Sequence, residues 1–481
     1  MQTWIKDELA SVDLGDQRLD RRYELVVDRL SQKPTLSIPA ACGGWAETLA
    51  AYRFFDNDKV TPDKLLAPHR DATLKRIQAQ RVVLLVQDTT KLILDRAEEK
   101  VGGPLNHENQ YGIQVHPLLA LTPEGMALGV VNAQMWARDP DDFHKRKQAP
   151  YKPIEEKESI RWLTGYRQAC VVAQEATDTQ VICISDSEGD VYECFAESSV
   201  ADGKRKADWI VRACQDDRRL LPAAPDDAMK NLRTAVEASA VRKRMILEVS
   251  HRVGHPIDPR GRRGAREARL AWMTVRATTV TLKPPERRGD VESKLPAVTV
   301  NVVLVQEENP PAGEAPIEWL LLTSLPIDTE AAEAAVIEAY CRRWEIEVYF
   351  RVLKSGCGVE ELQFETTERL MACVAVYLIV AWRVLFVMRM GRECPDLPCD
   401  TVLSPEEWQS VYTIVQKKPL PKKVPTLGEM IPMIASLGGY LGRKSDGPPG
   451  PQAMWIGIQR MRDFAAAWIA FGPPYPPPRS V

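Results

Sequence analysis

The sequence predicts an α/β protein whose sheet is interrupted by a β-rich segment and flanked by helical segments. Two short apolar runs, residues 82–86 (VVLLV) and 181–185 (VICIS), have the β-branched composition of strands that are buried on both faces. Residues 199–318 contain longer extended runs between loops rich in glycine, proline and charge. Residues 1–70 and 391–481 carry helical periodicity punctuated by proline.

Length and composition limit the classes of protein that need to be considered. A chain of 481 residues is too long for one ordinary core, so several domains are expected. The net charge of −3 excludes a general polycation, so contact with nucleic acid must come from local basic patches. The charged amino-terminal stretch does not resemble a secretion signal. Ten cysteines without a CxxC pair indicate free thiols in a reducing cytosol, which predicts a cytoplasmic protein.

The amino-terminal half of the chain changes from helical to α/β character. Helices are predicted at 20–30 and 44–55, where arginines 18, 21 and 22 form a cluster that is weak evidence for DNA binding. Strands are predicted at 82–86, 115–121 and 127–133, followed by a helix at 158–177 and a strand at 181–185.

Two aspartates follow buried strands directly. Asp88 comes after the run at 82–86, and Asp186 comes after the run at 181–185. Ligands of open α/β sheets bind at the carboxyl ends of the strands, and a carboxylate there needs a partner or a metal ion. The alternative is that each aspartate only caps the turn that follows it.

The β-rich segment also contains the strongest concentration of positive charge. Strands are predicted at 209–213, 245–253, 270–281 and 297–305, in a mostly antiparallel arrangement. Residues 251–288 contain ten lysines and arginines against three acidic residues. Such a segment suits phosphate contacts, with Arg262, Arg263 and Arg266 as candidates. A solvated loop is the alternative.

A charged helix is predicted after the strand at 319–324. Residues 340–354 (YCRRWEIEVYFRVLK) contain neither proline nor glycine, and at about 100° per residue one stripe holds Tyr340, Arg343, Glu347 and Lys354. These side chains could bind a metal ion and a phosphate together; a solvated face with ion pairs is the alternative. The apolar run at 374–387 is too short to span a membrane and predicts a buried core helix. An amphipathic helix at 454–471 suits core packing or a partner subunit.

Together these residues resemble a known family. Asp88 in VQDTT, Asp186 in SDSEGD and the pattern Y-x2-R-x3-E-x6-K at 340–354 resemble the DDE transposases of bacterial insertion sequences, in particular the YREK group (insertion-sequence-four family). Further segments also resemble the family, namely AYRFFDND, WARDPDD and NPPAGEAPIEWLLLTS, so the resemblance covers almost the whole chain.

The resemblance implies a domain organisation and a metal site. It implies an RNase H-like core, a mixed sheet with helices at 71–198 and 319–390, interrupted by the β-rich insertion at 199–318. It implies an amino-terminal helical DNA-binding domain at 1–70 and a carboxyl-terminal helical dimerisation region at 391–481. Asp88, Asp186 and Glu347 would be the catalytic carboxylates, holding two Mg²⁺ or Mn²⁺ ions per active site.

The resemblance also implies DNA contacts. Phosphate-binding and base-stacking roles fall on six positions: Tyr340, Arg343, Lys354 and Arg212 on phosphate, and Trp319 and Trp344 on an extruded base. The chain departs from the family at Ser187, where arginine is common. Glu345 and Glu188 are neighbouring carboxylates, and the YREK spacing selects Glu347 over Glu345.

The function expected from the resemblance is cut-and-paste DNA transposition. The partners would be double-stranded DNA, both the inverted-repeat transposon ends and the target, and a second copy of the chain in a synaptic homodimer without a membrane. The location would be the bacterial cytoplasm, in association with the nucleoid. The alternatives are an RNase H-like nuclease without strand transfer and a catalytically silent DNA-binding regulator.

Overall fold

A computed structural model describes residues 2–94, 101–105, 110–140, 152–222, 231–249, 251, 266–285 and 295–472. The chain divides into two compact units. The first unit contains Met1–Lys147 and Trp344–Val481, and the second contains Gln148–Arg343.

The described residues form helices along the whole chain. Their bounds are α1 Thr3–Glu8, α2 Gln17–Gln32, α3 Ile38–Cys42, α4 Trp45–Phe55, α5 Pro62–Gln78, α6 Ile160–Glu175, α7 Tyr192–Ser198, α8 Leu232–Ala238, α9 Glu330–Cys341, α10 Glu345–Arg351, α11 Thr367–Glu393, α12 Pro405–Gln416, α13 Leu427–Leu437 and α14 Pro451–Phe471. Short 3-10 turns are found at Ile154–Glu156, Ser187–Gly189, Arg342–Trp344, Val359–Glu361 and Cys399–Thr401.

The strands belong to both units. Their bounds are β1 Val82–Gln87, β2 Thr90–Leu94, β3 Gly103–Pro104, β4 Tyr111–Leu121, β5 Ala127–Trp136, β6 Gln180–Ser185, β7 Asp208–Arg212, β8 Val241–Val249, β9 Arg269–Leu282, β10 Val298–Glu307 and β11 Glu318–Thr323.

In the first unit, the sheet is built around β4. β1 and β2 pair with one edge of β4, and β5 and the short β3 pair with the other, all in antiparallel orientation. The register sets Val86 opposite Leu119 and Thr90 opposite Val115, so that β1 and β2 occupy successive parts of the same edge. Helices α5 and α11 pack against β5.

Helix α11 is the core helix of the first unit. It is long and apolar enough to cross a membrane by composition, but 89% of its most apolar window is buried inside the protein. Thr366 caps the start of the helix, because its side-chain oxygen accepts a hydrogen bond from the backbone N–H of Arg369. The prediction of a buried core helix is confirmed.

In the second unit, six strands follow the order β6-β7-β11-β10-β9-β8. β6 and β7 are parallel, with Ile184 opposite Ile210, and the remaining pairs are antiparallel. Helix α6 packs against β6, and α8 packs against β9. The predicted antiparallel character of the β-rich segment is confirmed.

The prediction of one uniform helix over 340–354 is wrong. Helix α9 ends at Cys341, a 3-10 turn covers Arg342–Trp344, α10 covers Glu345–Arg351, and a π-helical turn covers Val352–Gly356. A 3-10 turn is tighter and a π turn wider than an α-helix, so one angle of 100° per residue does not describe the segment.

Candidate active site

Asp88 follows directly on β1 in the first unit. It is partly exposed, and its Oδ1 accepts a hydrogen bond of 2.7 Å from the Thr89 backbone N–H. Both neighbours are fixed to the buried His116 of β4: Thr89 Oγ1 lies 2.8 Å from Nδ1, and Gln87 Oε1 lies 3.0 Å from Nε2. The end of the strand that carries Asp88 is thus held from both sides.

Two glutamates of α10 have different surroundings. Glu345 is buried, and its Oε1 accepts a hydrogen bond from Arg389 Nη2 of α11. Glu347 is partly exposed, two residues further along the helix. Because Glu345 is buried in an ion pair with the core helix, the geometry favours Glu347 as the ligand candidate.

Lys354 and Trp344 lie at the two ends of the same segment. Lys354 stands in the π-helical turn, donates to the backbone carbonyl of Lys91 on β2, and lies 3.5 Å from a carboxylate oxygen of Glu360. Trp344 is 60% exposed at the start of α10. The lysine is thus held by protein groups next to the strand that follows Asp88.

Asp186 lies at the carboxyl end of β6 in the second unit. Its Oδ1 accepts a hydrogen bond of 2.8 Å from the Glu188 backbone N–H and caps the turn Ser187–Gly189, as the alternative interpretation expected. The carboxylate is nevertheless partly exposed. The cap uses one lone pair of the carboxylate, so its other lone pairs can still accept from a further partner.

The two acidic neighbours of Asp186 have other partners. Glu188 pairs with Arg161 at 2.7 Å. Asp190 is buried, pairs with Arg218 at 2.6 Å and accepts two backbone N–H groups, from Cys214 and Gln215. Within the sequence DSEGD, the geometry therefore favours Asp186 as the ligand candidate.

Tyr340 is surrounded by charged groups of the second unit. Burial raises the pKa of its phenol and the Asp186 carboxylate acts in the same direction, while the guanidinium groups of Arg343 and Arg212 lower it. The ring of Trp319 lies against it, with 6.3 Å between the centroids. Arg212 is exposed at the end of β7 and donates to the Glu318 carbonyl at 3.2 Å.

The basic candidates of the β-rich segment are less informative. Arg262 and Arg263 lie outside the described residues. Arg266 is partly exposed and lies near Glu307, whose pKa is lowered mainly by a hydrogen bond from Arg269 and to a smaller extent by Arg266.

Apart from the basic candidates of the β-rich segment, five predicted site residues lie in the second unit and four lie in the first. The five are Asp186, Arg212, Trp319, Tyr340 and Arg343; the four are Asp88, Trp344, Glu347 and Lys354. Within the described part of either unit, no group of three or more histidine, cysteine, aspartate or glutamate side chains is arranged to hold a metal ion. The donor chemistry of two aspartates and a glutamate suits Mg²⁺ or Mn²⁺, which prefer oxygen ligands.

Sequence reasoning missed two residues that support the candidate carboxylates. His116 stands inside an apolar strand, and a buried polar side chain in such a run is a signal that something nearby binds it. Arg389 gives no such signal, because an arginine near the end of a long helix is ordinary and its partner lies 44 residues away in the chain.

Comparison with protein families shows the family of the chain. Residues 131–382, more than half of the chain, match the Transposase DDE domain family. The chain belongs to the DDE transposase family. It is a DNA transposase, an enzyme that cleaves DNA and transfers strands, with an RNase H-like α/β core and helical flanks. The matched range includes Asp186 and Glu347 and begins after Asp88.

The flanking regions of this transposase match two further families. Residues 1–60 match Transposase DNA-binding, and residues 379–470 match the Transposase Tn5 dimerisation domain. These matches support a Tn5-like transposase that binds DNA and forms dimers, and the DDE family implies dependence on a divalent metal.

A solved structure is also similar to this chain. It is the cryo-EM structure of a piggyBac transposase synaptic complex with hairpin DNA. The two chains are 9% identical, the match covers 99% of this chain and 83% of the other, and the TM-score is 0.35. The assignment to the family rests on the sequence match.

Proposed function

We propose that this enzyme is a cut-and-paste transposase of the YREK group, in which Asp88, Asp186 and Glu347 hold two divalent ions at the scissile phosphate. The observation that carries the proposal is the position of Asp186 at the end of β6, near Tyr340, Arg212 and Arg343. A strand-end carboxylate next to a phenol and two guanidinium groups combines a metal ligand with phosphate donors.

The carboxylates would act as oxygen ligands. When bound, two Mg²⁺ or Mn²⁺ ions supply activation of the attacking oxygen and stabilisation of the leaving oxygen in an in-line displacement. Asp88 and Asp186 follow strands and so have little freedom to move. The backbone N–H groups of Thr89 and Glu188, which donate to these aspartates, orient each carboxylate.

The polar residues around Tyr340 would bind DNA. The buried phenol stays protonated because its pKa is raised, so that it can donate a hydrogen bond to a phosphate oxygen. Arg343 and Arg212 supply guanidinium forks that suit phosphate, and Lys354 supplies a point charge. The faces of Trp319 and of the exposed Trp344 suit stacking on an unpaired base.

The reaction would proceed by successive displacements at phosphorus. Water attacks the phosphodiester at the transposon end, the P–O bond to the 3′ oxygen breaks, and that oxygen takes up a proton to leave as a 3′-hydroxyl. The hydroxyl would then attack a phosphodiester of the opposite strand, which releases the element with a hairpin end, and a second water would open the hairpin and free the 3′-hydroxyl again. The hydroxyl would finally attack a phosphodiester of target DNA. In each step one P–O bond forms as another breaks, so no energy source is consumed. Positioning and electrostatic stabilisation provide the catalysis.

The partners would be paired transposon ends, target DNA and a second copy of the chain in a synaptic homodimer. The location would be the bacterial nucleoid. The basic residues Arg262, Arg263 and Arg266 would add non-specific phosphate contacts, which weaken as the salt concentration rises.

A cleavage assay on DNA that carries the element's own ends tests this proposal. With Mg²⁺ we expect a nicked 3′-hydroxyl end and then a joined product with target DNA, and no product from Asp88→Asn, Asp186→Asn or Glu347→Gln. Glu188→Gln is the matched control, because that side chain pairs with Arg161. Cleavage without joining would favour a nuclease, and DNA binding without cleavage would favour a silent regulator.

A further inference from the structure

We propose that the buried ion pair Glu345–Arg389, together with Tyr349, is a positioning device for Glu347. This inference rests on the proposed role of Glu347 as a metal ligand. Glu345 and Arg389 would not contact DNA or metal; they would fix the direction of the helix that carries Glu347.

Helix α10 is a seven-residue stretch between the 3-10 turn Arg342–Trp344 and the π-helical turn Val352–Gly356. Its rotation is fixed by tertiary packing, from which most helical stability in proteins comes. Glu345 and Tyr349 are one turn apart on one face, and both bind the core helix α11: Glu345 Oε1 accepts from Arg389 Nη2, and Tyr349 Oη donates to the Leu378 carbonyl at 2.8 Å. This face is therefore attached at two points to the most deeply buried element of the first unit.

Glu347 lies on the opposite face of the same helix. At about 100° per residue, the second residue after Glu345 projects about 200° away from it. Attaching the face of Glu345 and Tyr349 to α11 thus aims Glu347 away from the core helix, where its side chain is partly exposed. A rotation of α10 by one residue would turn Glu347 toward the core instead.

The other end of the segment is attached to the strand that follows Asp88. Lys354, in the π-helical turn, donates to the carbonyl of Lys91 on β2. Buried Val352 and Leu353 hold this turn in the core. The segment is fixed at its first turn by Arg389 and at its end by Lys91, so that the rotation of Glu347 is determined from both sides.

The ion pair Glu345–Arg389 is better explained by a role in orienting α10 than by a contribution to stability. Both side chains are 11% exposed, and Glu345 Oε2 and Arg389 Nε have no hydrogen-bond partner within the described part of the chain. A buried pair with unsatisfied atoms adds little net stability over apolar side chains, whereas its directional contact specifies one register. Residues that orient a ligand in this way affect metal affinity more than DNA affinity.

The test measures metal dependence with Glu345→Gln, Tyr349→Phe and the charge-reversed pair E345R/R389E. For Glu345→Gln we expect the Mg²⁺ concentration at half-maximal end cleavage to rise roughly 10–100-fold, the range seen when the support of a metal ligand is removed. Affinity for end DNA without divalent metal should change less than about twofold, since neither residue is assigned a DNA contact. Tyr349→Phe should raise the Mg²⁺ requirement in the same direction.

The charge-reversed pair should return the Mg²⁺ requirement toward that of the unaltered protein. Glu197→Gln, which removes an exposed pair with Arg167, is the matched control and should leave the requirement unchanged. If Glu345→Gln and Tyr349→Phe lower thermal stability but leave the Mg²⁺ requirement per folded molecule unchanged, the pair is structural and this inference is wrong. If cleavage survives Glu347→Gln, the proposed function itself fails, so that the two failures are distinguishable.

Discussion

The ring of Trp319 lies tilted against the ring of Tyr340, with 6.3 Å between the centroids and 58° between the planes. The indole supports the phenol from β11, and the guanidinium groups of Arg343 and Arg212 approach the phenol from other elements. The Asp186 carboxylate acts on the same phenol electrostatically. Phosphate recognition by a protonated phenol requires this kind of fixed donor.

Replacing Tyr340 with phenylalanine removes the hydroxyl and keeps the ring contact with Trp319. We expect affinity for cleaved transposon ends to fall by about tenfold, or about 1.4 kcal/mol, because one charge-assisted hydrogen bond is lost. Fluorescence anisotropy with end DNA measures this. Tyr192→Phe is the matched control: it loses the hydroxyl that donates to the Pro296 carbonyl at 2.9 Å, so it should lose about 1 kcal/mol of stability without a change in DNA affinity. Equal DNA affinities for Tyr340→Phe and the unaltered protein would remove the phenol from the phosphate site.

Glu8 joins the first helix of the chain to the core of the first unit. It is buried, lies 2.5 Å from His69 Nδ1, and accepts hydrogen bonds of 2.8 and 3.0 Å from Arg76. Burial alone would raise the pKa of this carboxyl, but His69 and Arg76 together lower it to about 2. Because the pKa falls on folding, the carboxylate stabilises the protein above its unfolded pKa of 4.5, and this stability is lost as the pH falls toward 2.

The expected size of this effect is on the order of 3 kcal/mol, from a pKa that drops from 4.5 to about 2. Urea unfolding between pH 7 and pH 3 should show stability falling below about pH 5, and Glu8→Gln should be less stable at pH 7 and less sensitive to acid. Asp16→Asn, at an exposed pair with Arg18, is the control and should change little. Parallel acid profiles for Glu8→Gln and the unaltered protein would contradict the assignment.

Gly457 allows two helices of the carboxyl-terminal region to approach closely. A Cβ at this position of α14 would lie 2.1 Å from the Ile434 carbonyl oxygen of α13, which is backbone and cannot move aside cheaply. Alanine ordinarily stabilises a helix interior by about 1 kcal/mol relative to glycine, but here the clash with the Ile434 carbonyl outweighs that gain. We expect Gly457→Ala to destabilise by about 1–3 kcal/mol in thermal or denaturant unfolding.

Gly450, the residue before the same helix, provides the matched control. Gly450 is the N-cap of α14, and a Cβ there meets no atom within 4 Å, so Gly450→Ala lacks the clash and should cost no more than about 1 kcal/mol, from the poorer N-cap. A gain in stability from Gly457→Ala would show that α13 and α14 pack less closely than the structure indicates.

The strands could be predicted from the sequence because their signal is local. The run at 82–86 corresponds to β1 Val82–Gln87, and the run at 181–185 corresponds to β6 Gln180–Ser185. A continuous apolar run that is rich in β-branched residues and bounded by polar residues favours a buried strand. β2, which begins two residues after Asp88, was not predicted, since TKLIL is short and only two residues separate it from β1.

The segment 340–354 contains features that cannot be predicted from the local sequence. Its periodicity is helical, yet the chain adopts a 3-10 turn and a π turn within it. The π turn coincides with a contact to a distant residue, the hydrogen bond from Lys354 to the Lys91 carbonyl. Such contacts override propensity and cannot be read from a window of the sequence. The same reason explains why Arg389 and His116 were missed, whereas the choice of Glu347 over Glu345 came from spacing.

In the proposed mechanism, the divalent ions are held jointly by Asp88, Asp186 and Glu347. The most direct measurement is the stoichiometry of Mn²⁺ bound to the transposase–end DNA complex, followed by electron paramagnetic resonance. The most informative variant is Asp186→Asn, because asparagine can still cap the turn Ser187–Gly189 while it loses the ligand charge. We predict two tightly bound Mn²⁺ ions per active site, and the loss of at least one of them in Asp88→Asn, Asp186→Asn and Glu347→Gln. Unchanged Mn²⁺ binding in any of these three variants, with the DNA complex intact, would contradict this prediction.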